Sequence, residues 1–158
     1  MTVSLLAEKS LGRAFSFEES IAEELLAIEQ HAKVICDLHW QSLEEERDGR
    51  TFRFITRIRT DRGLLQCHWL YAGTKAQKGK PLMAKHVPKG TARFNPNYKM
   101  SVFNKAEPWE RDIIFETEKN YSLLRERHMK LIKIRDEFRR YKNITKESYE
   151  RVGIPWEF

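Results

Sequence analysis

The sequence predicts an α+β fold: two long packed helices with a small three-stranded antiparallel sheet inserted between them in sequence. Two stretches whose apolar residues recur at alternating three- and four-residue steps predict the helices, and a middle stretch with a period of two predicts the sheet. The third observation is segregated charge. Between Thr51 and Lys105 stand twelve Lys or Arg and one acid, Asp61, whereas residues 1–50 carry five bases and eleven acids. The length of 158 residues suits a single domain over 1–158, and 41% hydrophobic content is enough for its core.

The first helix is expected over 17–47. Ser16 and Glu19 have capping-box spacing, with the serine as N-cap and the glutamate three residues on. Ile21, Leu25, Ile28, Ala32, Ile35, Leu38 or His39, and Leu43 then form one narrow stripe, the kind that packs against another long helix. Glu19, Glu23, Glu29 and Asp37 fall on the opposite face, as solvation or as a docking surface for a basic partner. Glu44, Glu45 and Glu46 oppose the dipole near the end, and Asp48-Gly49 stops the helix.

The sheet is expected over 51–87. Phe52, Phe54, Thr56 and Ile58 alternate with Arg53, Ile55, Arg57 and Arg59, and Leu65, Cys67, Trp69 and Tyr71 alternate with Leu64, Gln66, His68 and Leu70. Asp61-Arg62-Gly63 between the two runs signals a hairpin turn. A Gly/Lys-rich loop, Gly73 to Pro81, leads to a third strand over Leu82 to Val87. Residues 88–107 read as a basic loop containing Asn95-Pro96-Asn97.

Pro108 suits the first position of a second helix over 108–142, where its missing N–H costs nothing. The stripe there runs through Trp109, Ile113, Thr117, Tyr121, Leu124, Leu131, Ile134 or Arg135, and Phe138. Glu107, Glu110, Asp112, Glu116 and Glu118 crowd the start and bases from Arg125 to Lys142 crowd the end, both favourable to the helix dipole. A tail, 143–158, is expected to hold at most a short turn near Thr145 to Tyr149.

Several chemistries lack their residues. A nuclease with an Asp and a Glu-x-Lys pair on neighbouring strands needs acids in the sheet, and the sheet region has only Asp61, in a turn. A relaxase-like or transposase-like enzyme needs a His cluster beside its tyrosine, and no His-x-His pair occurs. Gly73 to Lys80 lacks the strand-to-helix context of a phosphate loop. Cys36 and Cys67 read as buried thiols; Cys36 and His39 share a helix face, but no second pair completes a zinc site. The expectation is a protein that is not an enzyme and uses no cofactor or metal. With no apolar run of bilayer length and no signal-like h-region in MTVSLLAEKSLGRAF, a cytoplasmic location is expected.

The basic stretch instead predicts a surface for double-stranded DNA. An ordinary wet sheet face mixes signs because like charges repel, and this one has almost no acid. The expected contacts are Arg53, Arg57, Arg59, Arg62, Lys75, Lys78, Lys80, Lys85, Lys89, Arg93 and Lys99. Phe52, Phe54 and Tyr71 alternate onto the core side, which sets them against an RNA-stacking role. The alternative to DNA binding is a helical scaffold whose stripes pair with another protein or form a homodimer.

From Cys67 to Tyr141 the order of residues resembles the MobI-type conjugative transfer proteins of integrative conjugative elements and large plasmids. Carrying the resemblance are Trp69-x-Tyr71, Val87-Pro-Lys-Gly90, Ala106-x-Pro-Trp-Glu110, Glu116-x-Glu118, Leu124-Arg125 and Ile134-Arg135, preceded by a helix ending near Trp40. It implies an accessory factor that acts at the transfer origin with a relaxase and does not cut DNA itself.

Overall fold

The computed structural model describes residues 2–72, 84–90 and 95–156. In chain order they form α1 (Val3–Arg47), β1 (Phe54–Asp61), β2 (Leu64–Tyr71), β3 (Lys85–His86), a 3-10 turn (Met100–Phe103) and α2 (Pro108–Glu150). The strands make one antiparallel sheet in the order β1-β2-β3, so the α+β class and the sheet between two helices in sequence hold. Among the described residues no helix is long and apolar enough to cross a membrane.

Both helices outrun their expected bounds. α1 begins at Val3, so Ser16 lies inside it and its carbonyl accepts from Ser20 Oγ at 2.9 Å instead of the serine capping an end. No proline interrupts Val3 to Ser16, and the buried stripe continues to the N-terminal side at seven-residue steps through Ala14 and Ala7. Small alanines carry little hydrophobic signal, which hides this extension from a search for bulky residues. At the other end α1 stops at Arg47, where Asp48 (φ 42°) and Gly49 (φ 72°) turn left-handed.

α2 starts at Pro108 as expected, with the Glu110 carboxylate accepting the Glu107 N–H at 2.9 Å, the reciprocal half of a capping box. It continues past Lys142 to Glu150, so the first part of the expected tail is helix. Gly153 (φ 75°) ends it in a Schellman motif: the Ile154 N–H donates to Tyr149 O (3.0 Å) and the Gly153 N–H to Glu150 O (2.9 Å).

The chain divides into two compact units, one of Met1–Ala27 with His128–Phe158 and one of Ile28–Arg127. The first is a helical pair. Its core joins Ala7 and Ala14 of α1 to Trp156 from beyond the Schellman turn, with Leu11, Phe138, Tyr149 and Ile154 packed around them. Phe17 meets Phe138 edge-on at 4.7 Å, and Lys142 reaches Glu18 at 2.8 Å.

The second, central unit holds the sheet. Phe54, Thr56 and Ile58 of β1 pair with Tyr71, Trp69 and Cys67 of β2, which puts the expected core residues on one face. Trp69 is fully buried there, edge-on to His39 of α1 (5.1 Å), to Phe103 (5.2 Å) and to Tyr121 of α2 (6.1 Å). His39, not Leu38, continues the α1 stripe and bonds Thr117 at 2.9 Å. The hairpin turns through Arg62 (φ 49°) and Gly63 (φ 74°), two positive φ values as a type I′ turn requires.

Candidate nucleic-acid interface

Alternation carries the residues of the other sheet face outward. Arg57 pairs across the hairpin with His68 and Arg59 with Gln66, and both arginines are exposed. Arg62 projects from the turn, Lys85 lies exposed on β3, and Lys99 is exposed just before the 3-10 turn. Lys89 is half-buried. Arg53 is held differently, for its guanidinium pairs with Glu107 and donates to Lys105 O at 3.2 Å, tying the start of the sheet to the start of α2. Lys75, Lys78, Lys80 and Arg93 lie outside the described residues, as do the whole Gly73 to Pro81 loop and Leu82 and Met83 of the expected third strand. The part of that strand that is described is short, Lys85–His86.

A line of side chains crosses the outer face. His68 Nε2 lies 2.8 Å from Gln66 Oε1, an acceptor, so His68 carries its proton on Nε2. Its bare Nδ1 then accepts from His86 Nε2–H at 3.0 Å. Burial, then His86, Arg57 and Arg59, pull the His68 pKa down to about 4, so the ring is neutral at pH 7 and adds no charge to the face. The positive potential comes from the arginines and lysines.

Behind this face two acids of α2, Glu110 and Glu118, are engaged inward. Glu118, 1% exposed, accepts from Trp69 Nε1 (2.7 Å), from the Tyr98 N–H (2.9 Å) and from both terminal nitrogens of Arg125 (2.8 and 3.0 Å). Arg125 further donates to Pro96 O (2.7 Å) and Cys67 O (3.1 Å) and sits over the Tyr98 and Tyr121 rings at 4.9 and 5.6 Å. This bidentate pair fastens α2, β2 and the basic loop to one another. Glu110 is equally buried and accepts the Arg53 N–H at 2.9 Å; desolvation raises its pKa. Glu110 thus serves the first turn of α2, as its position in the sequence suggests, and also fastens β1 to that helix, while Glu118 is an internal fastening.

The family described as MobI protein matches residues 28–139. The chain belongs to the MobI family. MobI membership makes this a protein related to conjugative mobilisation. The MobI match takes in the whole sheet, the basic stretch and the Glu118–Arg125 network. No curated protein and no solved structure matches the chain. Sequence reasoning missed the network, although its signal was present: Glu118, Tyr121 and Arg125 fall at steps of three and four on one helix face, in line with a buried stripe.

Proposed function

We propose that this MobI-family chain is a non-catalytic DNA-binding accessory factor of conjugative transfer, gripping duplex DNA of the transfer-origin region on behalf of a relaxase. One observation carries the reading: no acid occurs from Arg62 to Ala106, and the helix carboxylates Glu29, Glu107, Glu110 and Glu118 are already engaged, by Lys33, by Arg53, by backbone amides and by Arg125. The outward cations are thus left for a polyanion. Arg57 and Arg59 present planar forks suited to phosphate oxygens or guanine edges, and a two-stranded ribbon has the width to enter a major groove. The same scarcity of acids removes the carboxylates that strand cleavage with metal ions would need, which supports the non-catalytic role.

Binding to transfer-origin duplex should fall steeply with salt, with a slope in log K of about −0.9 per phosphate contact. Arg57→Ala with Arg59→Ala should weaken it about tenfold or more without lowering the unfolding midpoint; a response flat in salt would remove the reading. A protein-docking role is a second reading, favoured by the helical pair, where exposed Phe17, Ile134 and Tyr141 line one cleft with Phe138. Light scattering with and without DNA separates the two, because stable oligomers indifferent to DNA belong to the second.

A further inference from the structure

β3 pairs with Leu70 and Tyr71, and the Val87 N–H adds a bond to Trp69 O, so this pairing covers the far end of β2, and Leu64 to Cys67 lie beyond it. A cavity of about 220 Å³ opens there, lined by Gln66, His68, His86, Lys89, Tyr98 and Arg125 among others. Its charge is unbalanced. Arg125 is matched by Glu118, but Glu118 already takes four N–H donors, as many as its lone pairs accept. Lys89 is half-buried and has no ion pair among the described residues, and the sequence offers no acid from Arg62 to Ala106 that could supply one. Burial first, and then the Arg125 charge, lower the Lys89 pKa. Gln66 gives its carbonyl to His68, and its NH2 has no acceptor among the described residues.

We propose that this cavity is a phosphate-binding site, in which one tetrahedral oxyanion takes the charge of Lys89 and the free amide of Gln66, with the fixed Arg125 guanidinium behind it. An oxyanion there supplies the counter-charge that the local sequence omits. A backbone phosphate of bound DNA and free phosphate share this chemistry. The DNA source rests on the function proposed above, and the free source does not.

The test uses the full chain, labelled with ¹⁵N, titrated with inorganic phosphate at constant ionic strength. Saturable shifts at the His68 and His86 ring nitrogens and at the Gln66 amide are expected, and are absent in Lys89→Met. Without phosphate Lys89→Met should melt higher than the parent, because an uncompensated half-buried charge is gone, while phosphate raises the melting point of the parent alone. A lysine that only packs predicts the opposite sign. With duplex DNA, a Lys89→Met affinity loss of about tenfold and a salt slope shallower by about 0.9 assign the site to a backbone phosphate. Phosphate shifts with unchanged DNA affinity assign it to the free anion. No phosphate shift together with unchanged DNA affinity overturns the proposal, whereas phosphate shifts in a chain that fails to bind DNA overturn the function proposed above and leave this site standing.

Discussion

The same two helices build both units, and they do so by different physics. In the helical pair the seam is made of small and apolar groups, Ala7, Ala14 and Trp156, and the ion pair Lys142–Glu18 lies at its margin. In the central unit full charges are buried: Glu110, Glu118 and Arg125 lie inside, each with hydrogen-bond partners. An apolar seam tolerates small shifts because dispersion has no preferred direction, while a saturated carboxylate admits one geometry. The unit bearing the basic sheet is thus the one held in a fixed shape, and the helical pair is the one that leaves Phe17, Ile134 and Tyr141 exposed.

The difference can be broken by substitution. Glu118→Ala leaves Arg125 buried without its carboxylate and should cost about 3–5 kcal/mol, measured by urea unfolding. A loss below about 1 kcal/mol would mean the charges contribute little to holding the sheet on α2. Trp156→Ala should cost about 3 kcal/mol and act elsewhere, lowering amide protection in residues 3–27 and 128–150 while the amides of β1 and β2 keep theirs. Equal loss of protection in both units would erase the distinction.

Acid should loosen the central unit through His39. Burial pulls its pKa from 6.5 to about 4, so between those values the unfolded chain binds more protons than the folded one. Stability is then complete above about pH 6.5 and declines as pH falls toward 4, with roughly 2 kcal/mol lost by pH 5. His68 shifts in the same direction. His39→Gln should flatten this dependence in a series of melts across pH 4–7. The smallest effect belongs to the hairpin: Arg62→Asn places a residue at ease with positive φ in the type I′ turn and should add about 0.5 kcal/mol, read as a small rise in the denaturation midpoint.

Period and turn chemistry made the sheet readable in the sequence. Alternation put Phe54, Thr56 and Trp69 on the core side and Arg57 and Arg59 on the other, and the positive φ of Arg62 and Gly63 agrees with the turn signal. The helix from Ile21 to Leu43 was readable for the same reason. What escaped was ambiguous locally. Ser16 has the right spacing for a cap, yet a cap signal cannot stop a helix whose preceding residues also bury a seam. Glu110 and Glu118 suit a helix start by their charge alone, so their burial is decided by distant donors at Arg53, Trp69 and Tyr98. Arg53 alternates with the outward arginines, but Glu107 draws it aside, and sequence spacing does not record that contact. Trp156 looked like part of a tail because its partners, Ala7 and Ala14, lie at the opposite end of the sequence.

The Glu118 network also bears on how the chain reaches its fold. Trp69 and Glu118 are far apart in sequence, as are Cys67 and Arg125, so these bonds close only after long loops have been brought together. A carboxylate stripped of water before its donors arrive would sit at a large free-energy disadvantage, so partial closure gains nothing. Long-range closure of this kind favours strand β2, the basic loop and the middle of α2 locking together, not one contact at a time. The rate of that closure, more than the formation of either helix, would set how soon a newly made chain presents its arginine face.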